Sequence, residues 1–203
     1  AGRKYDPEPL QTNINHVANQ AFRVFKNGGI PPEDIYYLHH DASQDADGDG
    51  LPDVDDTATA STLEYALTTW AVSRVGPQLP LYLYMVDHGT NDLFLIDGYD
   101  NAVTPGQLDG WLTMLESSTG CPVNVIIESC NSGSFIEAPA EISKPGRVIV
   151  TSAASNQAAH AYPDGNGAYF STLFLSLLGD NADLWTCYTR THSSLQGAHL
   201  RQT

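Results

Sequence analysis

Two short stretches carry the residue types that could do covalent chemistry. Residues 85–89 read MVDHG and residues 126–135 read IIESCNSGSF. Each is an apolar run that breaks off into polar residues, at Asp87, His88 and Gly89 in the first and at Glu128, Ser129 and Cys130 in the second. A thiol attacks a carbonyl carbon as its thiolate. It needs an imidazole to handle protons and N–H donors for the oxyanion that develops. A single cysteine is by itself an ordinary small hydrophobe, and a single histidine is usually structural. Two such residues, each ending an apolar run, are worth more as a pair. Gly89 lets backbone approach closely, and Gly133 permits a tight turn after Cys130.

A third cluster is acidic. Residues 45–56 read DADGDGLPDVDD and follow the twelve-residue calcium loop position by position. Asp45, Asp47 and Asp49 take positions 1, 3 and 5, and Gly50 the turn at 6. Leu51 would offer its carbonyl at 7, with Asp53 at 9 and Asp56 at 12. The expected ion is Ca2+, because so many carboxylates on a short loop repel one another without a cation. Asp56 stands where the helix–loop–helix form has Glu, so its reach is shorter. Asp55 is left to solvent. The preceding DIYYLHHD reads as a strand, so the loop is expected to stabilise a strand–helix connection rather than to act as a sensor.

The surrounding elements must position these residues. Ile14, Val17, Ala18, Ala21, Phe22 and Phe25 recur at helical spacing, with NGG at 27–29 as the stop. Ser61 and Glu64 read as a capping box before Leu63, Ala66, Leu67 and Trp70. Thr104 and Pro105 open a third helix, and AYFSTLFLSLLG is an apolar fourth. Between them lie the strands LYLYMV, VNVII and RVIVT, and a short edge strand or hairpin in DLFLIDG. LYLYMV is a continuous apolar run, as for a strand covered on both faces. Alternating strands and helices predict an α/β fold, a mostly parallel sheet with helices on both faces. Ligand sites in such sheets lie beyond the carboxyl ends of the strands. His39, His40, Asp87, His88, Cys130 and Ser152 all gather there.

Composition narrows the function classes. The chain has 203 residues, 41% of them apolar, enough for one domain with a full core. Its formal net charge of −15 argues against a nucleic-acid partner, since that affinity comes from Lys and Arg on phosphates. No run approaches the ~20 apolar residues of a membrane span. Three cysteines at wide spacing are too few for a disulfide scaffold and show no CxxC metal pattern. A single Cys121–Cys187 bridge stays open, with Cys130 then the free thiol.

The two chemical stretches also carry a resemblance. Caspase-type enzymes place the His about 50 residues upstream of the Cys, and the span from His88 to Cys130 has that scale. MVDHG resembles the Asp-His-Gly motif of the legumain family of caspase-like cysteine peptidases. IIESCNSGSF resembles its Glu-Ala-Cys-x-Ser-Gly motif, with Ser129 in place of Ala. NGGIPPEDI and VIVTSAAS fit in order, and the likeness runs along nearly the whole chain. It is strongest to bacterial members with a calcium-loop insert. The resemblance implies a single caspase-like three-layer sandwich over residues 1–203, with the first strand lying before Ala1 and the chain cut short at its end. It implies a cysteine endopeptidase acting on a peptide or protein substrate through a thioester. Cys130 would be the nucleophile and His88 the general acid and base. The N–H groups of Gly89 and Cys130 would form the oxyanion hole, and Asp87 would orient the turn at His88 or cap it. Glu128 would face the substrate side chain on the acyl side of the cut bond, with Ser152 and Asn13 in the same substrate-binding region. Asparagine-specific relatives carry a base where Asn13 stands and an acid where Ala168 stands, so Arg3 is a candidate positive charge. His39, His40 and His160 read as satisfied polar residues near the cleft.

Three other functions compete: a calcium-stabilised peptide-binding module without activity, a transpeptidase using the same dyad, and a flavodoxin-like regulator. A calcium loop is most useful where calcium is plentiful, which favours a location outside the cytoplasm. Oligomeric state is not readable.

Overall fold

The structure, a computed structural model, describes residues 1–2, 10–139 and 141–199, with side chains through residue 195. Its elements follow the sequence order. Helix α1 (Leu10–Asn27) ends at Gly28 and Gly29, the latter at φ 99°, a left-handed turn that suits glycine. Helix α2 (Ala60–Tyr65) runs on through a π turn at Ala66–Trp70 and a 3-10 turn at Ala71–Ser73. Next come β1 (Leu81–Val86), β2 (His88–Thr90), β3 (Leu93–Leu95) and β4 (Ala102–Val103). Helix α3 (Pro105–Thr119) has Thr104 as its N-cap, Pro105 in its first turn and a left-handed Gly120 after its last. Strands β5 (Val123–Glu128) and β6 (Arg147–Thr151) precede α4 (Tyr169–Gly179) and α5 (Leu184–His199).

The main sheet is parallel, in the order β1-β5-β6. All six residues of β5 are buried, as expected of the middle strand of a covered sheet. The two-residue period divides its side chains between two layers. Val123, Val125 and Ile127 pack with Leu67, Leu108, Leu112 and Leu115 on the face of α2 and α3. Ile126 packs with Phe170, Phe174 and Cys187 on the opposite face, under α4 and α5. Helix α1 joins that second side through Val17, Ala18 and Phe22 against Val86 and Leu175. A small antiparallel sheet, β2-β3-β4, follows directly from the end of β1 and contains the hairpin expected in DLFLIDG.

Two expectations need correction, and a third point that the sequence left open is answered. Residues 34–41 do not form a strand of the sheet. They run extended with a single bridge, Leu38 to Asp56, because their backbone partners lie on residues 55–58 across the acidic loop. A groove of about 470 Å³ separates them from β1, walled by Phe22, Tyr37, Leu63, Leu67, Leu81 and Tyr84 among others. That groove also leaves Tyr82, Leu83 and Tyr84 short of full burial. Second, the box that starts α2 is Thr59 with Thr62, not Ser61 with Glu64. Thr59 Oγ1 accepts the Thr62 N–H at 3.0 Å, and Thr62 Oγ1 returns the contact. Third, Cys121, Cys130 and Cys187 are all free thiols, with Cys121 and Cys187 in hydrophobic clusters on opposite faces of the sheet.

Leu112 has no exposed surface and packs where α3 meets the sheet. Leu112→Ala is expected to lower stability by about 3 kcal/mol, seen as a lower urea midpoint at unchanged slope.

Candidate active site

The pairing of β1 with β5 decides which residues meet. Val86 sits opposite Glu128, and the Asp87 N–H donates to the Glu128 carbonyl at 3.2 Å. The chains then leave the sheet side by side, so His88 and Cys130 line one cleft. Asn13, Glu128, His160 and Ala168 complete much of its wall. Asp87 Oδ1 accepts the His88 N–H at 2.6 Å, so this carboxylate caps the turn that carries the histidine.

Two glycines let the backbones crowd together. A Cβ at Gly89 would lie 2.4 Å from the Cys130 carbonyl and 2.6 Å from Ser129 Oγ. One at Gly133 would lie 2.6 Å from the Ser155 nitrogen, whose loop accepts the Gly133 N–H at Ala153. Asn131, directly after the cysteine, is left-handed at φ 57°. Its N–H donates to the Gln157 carbonyl at 2.8 Å and its Nδ2 to the Ser155 carbonyl at 2.6 Å. The turn after Cys130 is thereby fastened to residues 153–157. The Cys130 thiol points toward the Ala159 carbonyl, at 3.9 Å.

Glu128 is 3% exposed. Its Oε2 accepts the Ser171 N–H at 2.9 Å and the Ser171 hydroxyl at 2.7 Å. Tyr84 donates its hydroxyl to Ser171 Oγ at 2.7 Å. Oε1 makes no hydrogen bond. Burial pushes the Glu128 carboxyl up from its ordinary value, against the pull of the Ser171 and Ser152 hydroxyls and the Ser171 N–H. Ser152 nevertheless reaches no bonding geometry with Oε1, and its Oγ accepts the Ser129 N–H at 3.2 Å. It stands behind Ser129, outside the cleft wall. Asn13 is buried on α1 and does line the cleft, its Oδ1 accepting the Gly167 N–H at 2.9 Å.

His39 lies outside the cleft wall. It is buried, bonded to Asn15 Oδ1 at 3.0 Å and to the Asp41 backbone, and depressed to about 3 by burial, with the amino terminus and His40 adding to it. His40 Nδ1 meets the Gly2 carbonyl at 2.9 Å. His160 lines the cleft. Arg3 lies outside the described residues. Sequence reasoning missed Ser171, Tyr84 and Asn131. A lone serine in the apolar stretch AYFSTLFL was the one available signal for the first, and the other two carried none.

In the acidic loop, carboxylate oxygens of Asp45, Asp47 and Asp49 all come within 4.8 Å of one another. Lys26 of α1 is ion-paired with Asp47. Asp53 Oδ2 accepts the Ala46 N–H at 2.7 Å, and Asp56 Oδ1 accepts the Thr57 N–H at 2.7 Å. Neither joins the cluster of three. Leu51 is exposed at the loop's tip.

The profile of the peptidase C13 family matches residues 59–194, which takes in both His88 and Cys130. The chain belongs to the peptidase C13 family. C13 membership makes it a cysteine-type peptidase with a protein substrate. Among solved structures it is similar to caspase-1 from Spodoptera frugiperda, at a TM-score of 0.59 and 13% identity, over 94% of this chain and 73% of that one. The likeness establishes the caspase-like fold expected from the motifs. No curated protein matches the chain. Among the described residues, no helix of this C13 peptidase is long and apolar enough to cross a membrane.

The raised Glu128 has a consequence for stability. Above the ordinary Glu range the unfolded chain gives up this proton more readily than the folded one, so Glu128 lowers stability as pH rises through that window. Glu128→Gln is expected to raise the melting temperature at pH 7 and to leave it nearly unchanged at pH 4, measured by differential scanning calorimetry.

Proposed function

We propose that this C13 peptidase is an endopeptidase working through Cys130 and His88. The observation that carries the reading is the β1–β5 register, which delivers both residues to one cleft. The Cys130 sulfur attacks the scissile carbonyl carbon, its proton passing to His88. The negative oxygen is held by the N–H groups of Gly89 and Cys130, whose backbones come close where position 89 carries no Cβ. His88 returns its proton to the leaving amine as the C–N bond breaks. Water, deprotonated by His88, then cleaves the thioester and frees the acid and the thiol. Glu128 accepts a hydrogen bond from an N–H-bearing substrate side chain, whether a basic group or an amide.

Cleavage of a mixed peptide library in millimolar calcium, followed by mass spectrometry, tests this. Cys130→Ala and His88→Ala are each expected to lower cleavage by about 10^4-fold or more with the fold intact. Unchanged cleavage in Cys130→Ala would falsify the assignment. A peptide bound but never cut by the wild type would mark a binding module instead.

The acidic loop is proposed as a structural Ca2+ site. Hard carboxylate oxygens from Asp45, Asp47 and Asp49, gathered within 4.8 Å of one another, suit calcium. Leu51, Asp53 and Asp56 would complete the set. Such a site fills where calcium is abundant, outside the cytoplasm. One millimolar calcium is expected to raise the melting temperature of the wild type but not of Asp45→Ala or Asp49→Ala. An equal shift in all three proteins would sink the site.

A further inference from the structure

Glu128 does two jobs at once. Helix α4 begins after Ala168, which offers no side-chain cap, and Ser171 lies in its first turn. The buried first-turn N–H of Ser171, which has no acceptor within the helix, is met instead by Glu128 Oε2, a carboxylate arriving from the end of β5. A helix N-terminus left without its own cap favours such an anion. The Ser171 hydroxyl donates to the same oxygen. The Ser171 oxygen in turn accepts the Tyr84 hydroxyl at 2.7 Å. Tyr84 is pushed well above its ordinary value by burial and by the Glu128 charge, so it stays a donor. The result is a chain of donors, Tyr84 to Ser171 to Glu128, that ties down one carboxylate oxygen. The other, Oε1, is buried and unpartnered in a residue that walls the cleft beside Cys130. A buried acceptor without a donor carries a desolvation cost that a ligand can relieve.

We propose that Ser171 and Tyr84 are positioning residues for substrate selection. They hold Glu128 by one oxygen so that the other is presented to an N–H donor on the substrate residue that precedes the cut. This rests on the reading of Cys130 as the nucleophile and Glu128 as the residue facing that side chain. A freely rotating glutamate would share both oxygens among local donors and select less sharply. Tyr84 also lines the apolar groove beside β1, so the chain of donors starts in one cavity and ends in the other.

The test is alkylation of Cys130 by peptidyl acyloxymethyl ketones, Ala-Ala-X with X as Asn, Lys or Ala, followed by intact mass spectrometry. It needs no turnover. The wild type is expected to react about tenfold faster with the Asn or the Lys reagent than with Ala, the scale of a charge-assisted hydrogen bond. Ser171→Ala is expected to erase that preference while keeping the rate with the Ala reagent, and Ser171→Thr to restore it in part. Tyr84→Phe, which removes one oxygen and little volume, is expected to weaken the preference. It serves if Ser171→Ala does not fold. A merely structural role would slow all three reagents together, and that result overturns the proposal. So does a wild type that reacts with all three alike, or a folded Ser171→Ala that keeps the full preference. If no peptidyl reagent reacts while iodoacetamide still labels Cys130, the peptidase reading itself falls, and this inference with it.

Discussion

The parallel pairing of β1 with β5 is the constraint on which the rest depends. It matches Val86 to Glu128, and everything chemical follows within two residues of that match. A shift by one residue would turn His88 or Cys130 to the other face of the sheet, since side chains alternate with a period of two. Register is protected by burial. Strand β5 is covered at every position, and its two faces meet two different helical layers. The core therefore specifies the site. Leu108, Leu112 and Leu115 lie outside the cleft, yet they hold the strand whose end walls it.

Close approach is the second constraint. His88 and Cys130 come from separate strands, and their neighbouring backbones can meet only where side chains are missing. Gly89 meets the Cys130 carbonyl and Gly133 meets the 154–155 backbone. Where a side chain is kept, it is used. Asn131 tolerates its left-handed backbone and spends its amide on Ser155. Ser129, by contrast, leaves its hydroxyl buried without a partner beside Gly89, and nothing in the structure explains why it is not alanine.

Much of this was legible in the chain itself, for reasons that differ by element. Helix α3 announced itself with Thr104 and Pro105, because capping chemistry is local. The meeting of His88 and Cys130 in one cleft was legible because each residue breaks an apolar run. Residues 34–41 misled because β-branched and aromatic content shows only that a segment can be extended. Pairing depends on a neighbour that no local pattern reveals. The Thr59 cap was hidden by Ser61, which offers the same chemistry two residues later. The Tyr84–Ser171–Glu128 chain was invisible because its members come from three elements far apart in sequence. Asn13 was placed at the cleft by resemblance alone, and its bond to Gly167 could be read only from the fold.

The fastening of the turn after Cys130 also sets how that turn opens. The Asn131 N–H donates to the Gln157 carbonyl and the Gly133 N–H to the Ala153 carbonyl, so both amides are covered by the same loop. Neither can exchange its hydrogen with solvent until residues 153–157 lift away. Opening of the turn and release of the loop are therefore one cooperative event, and the two amides share a single protection.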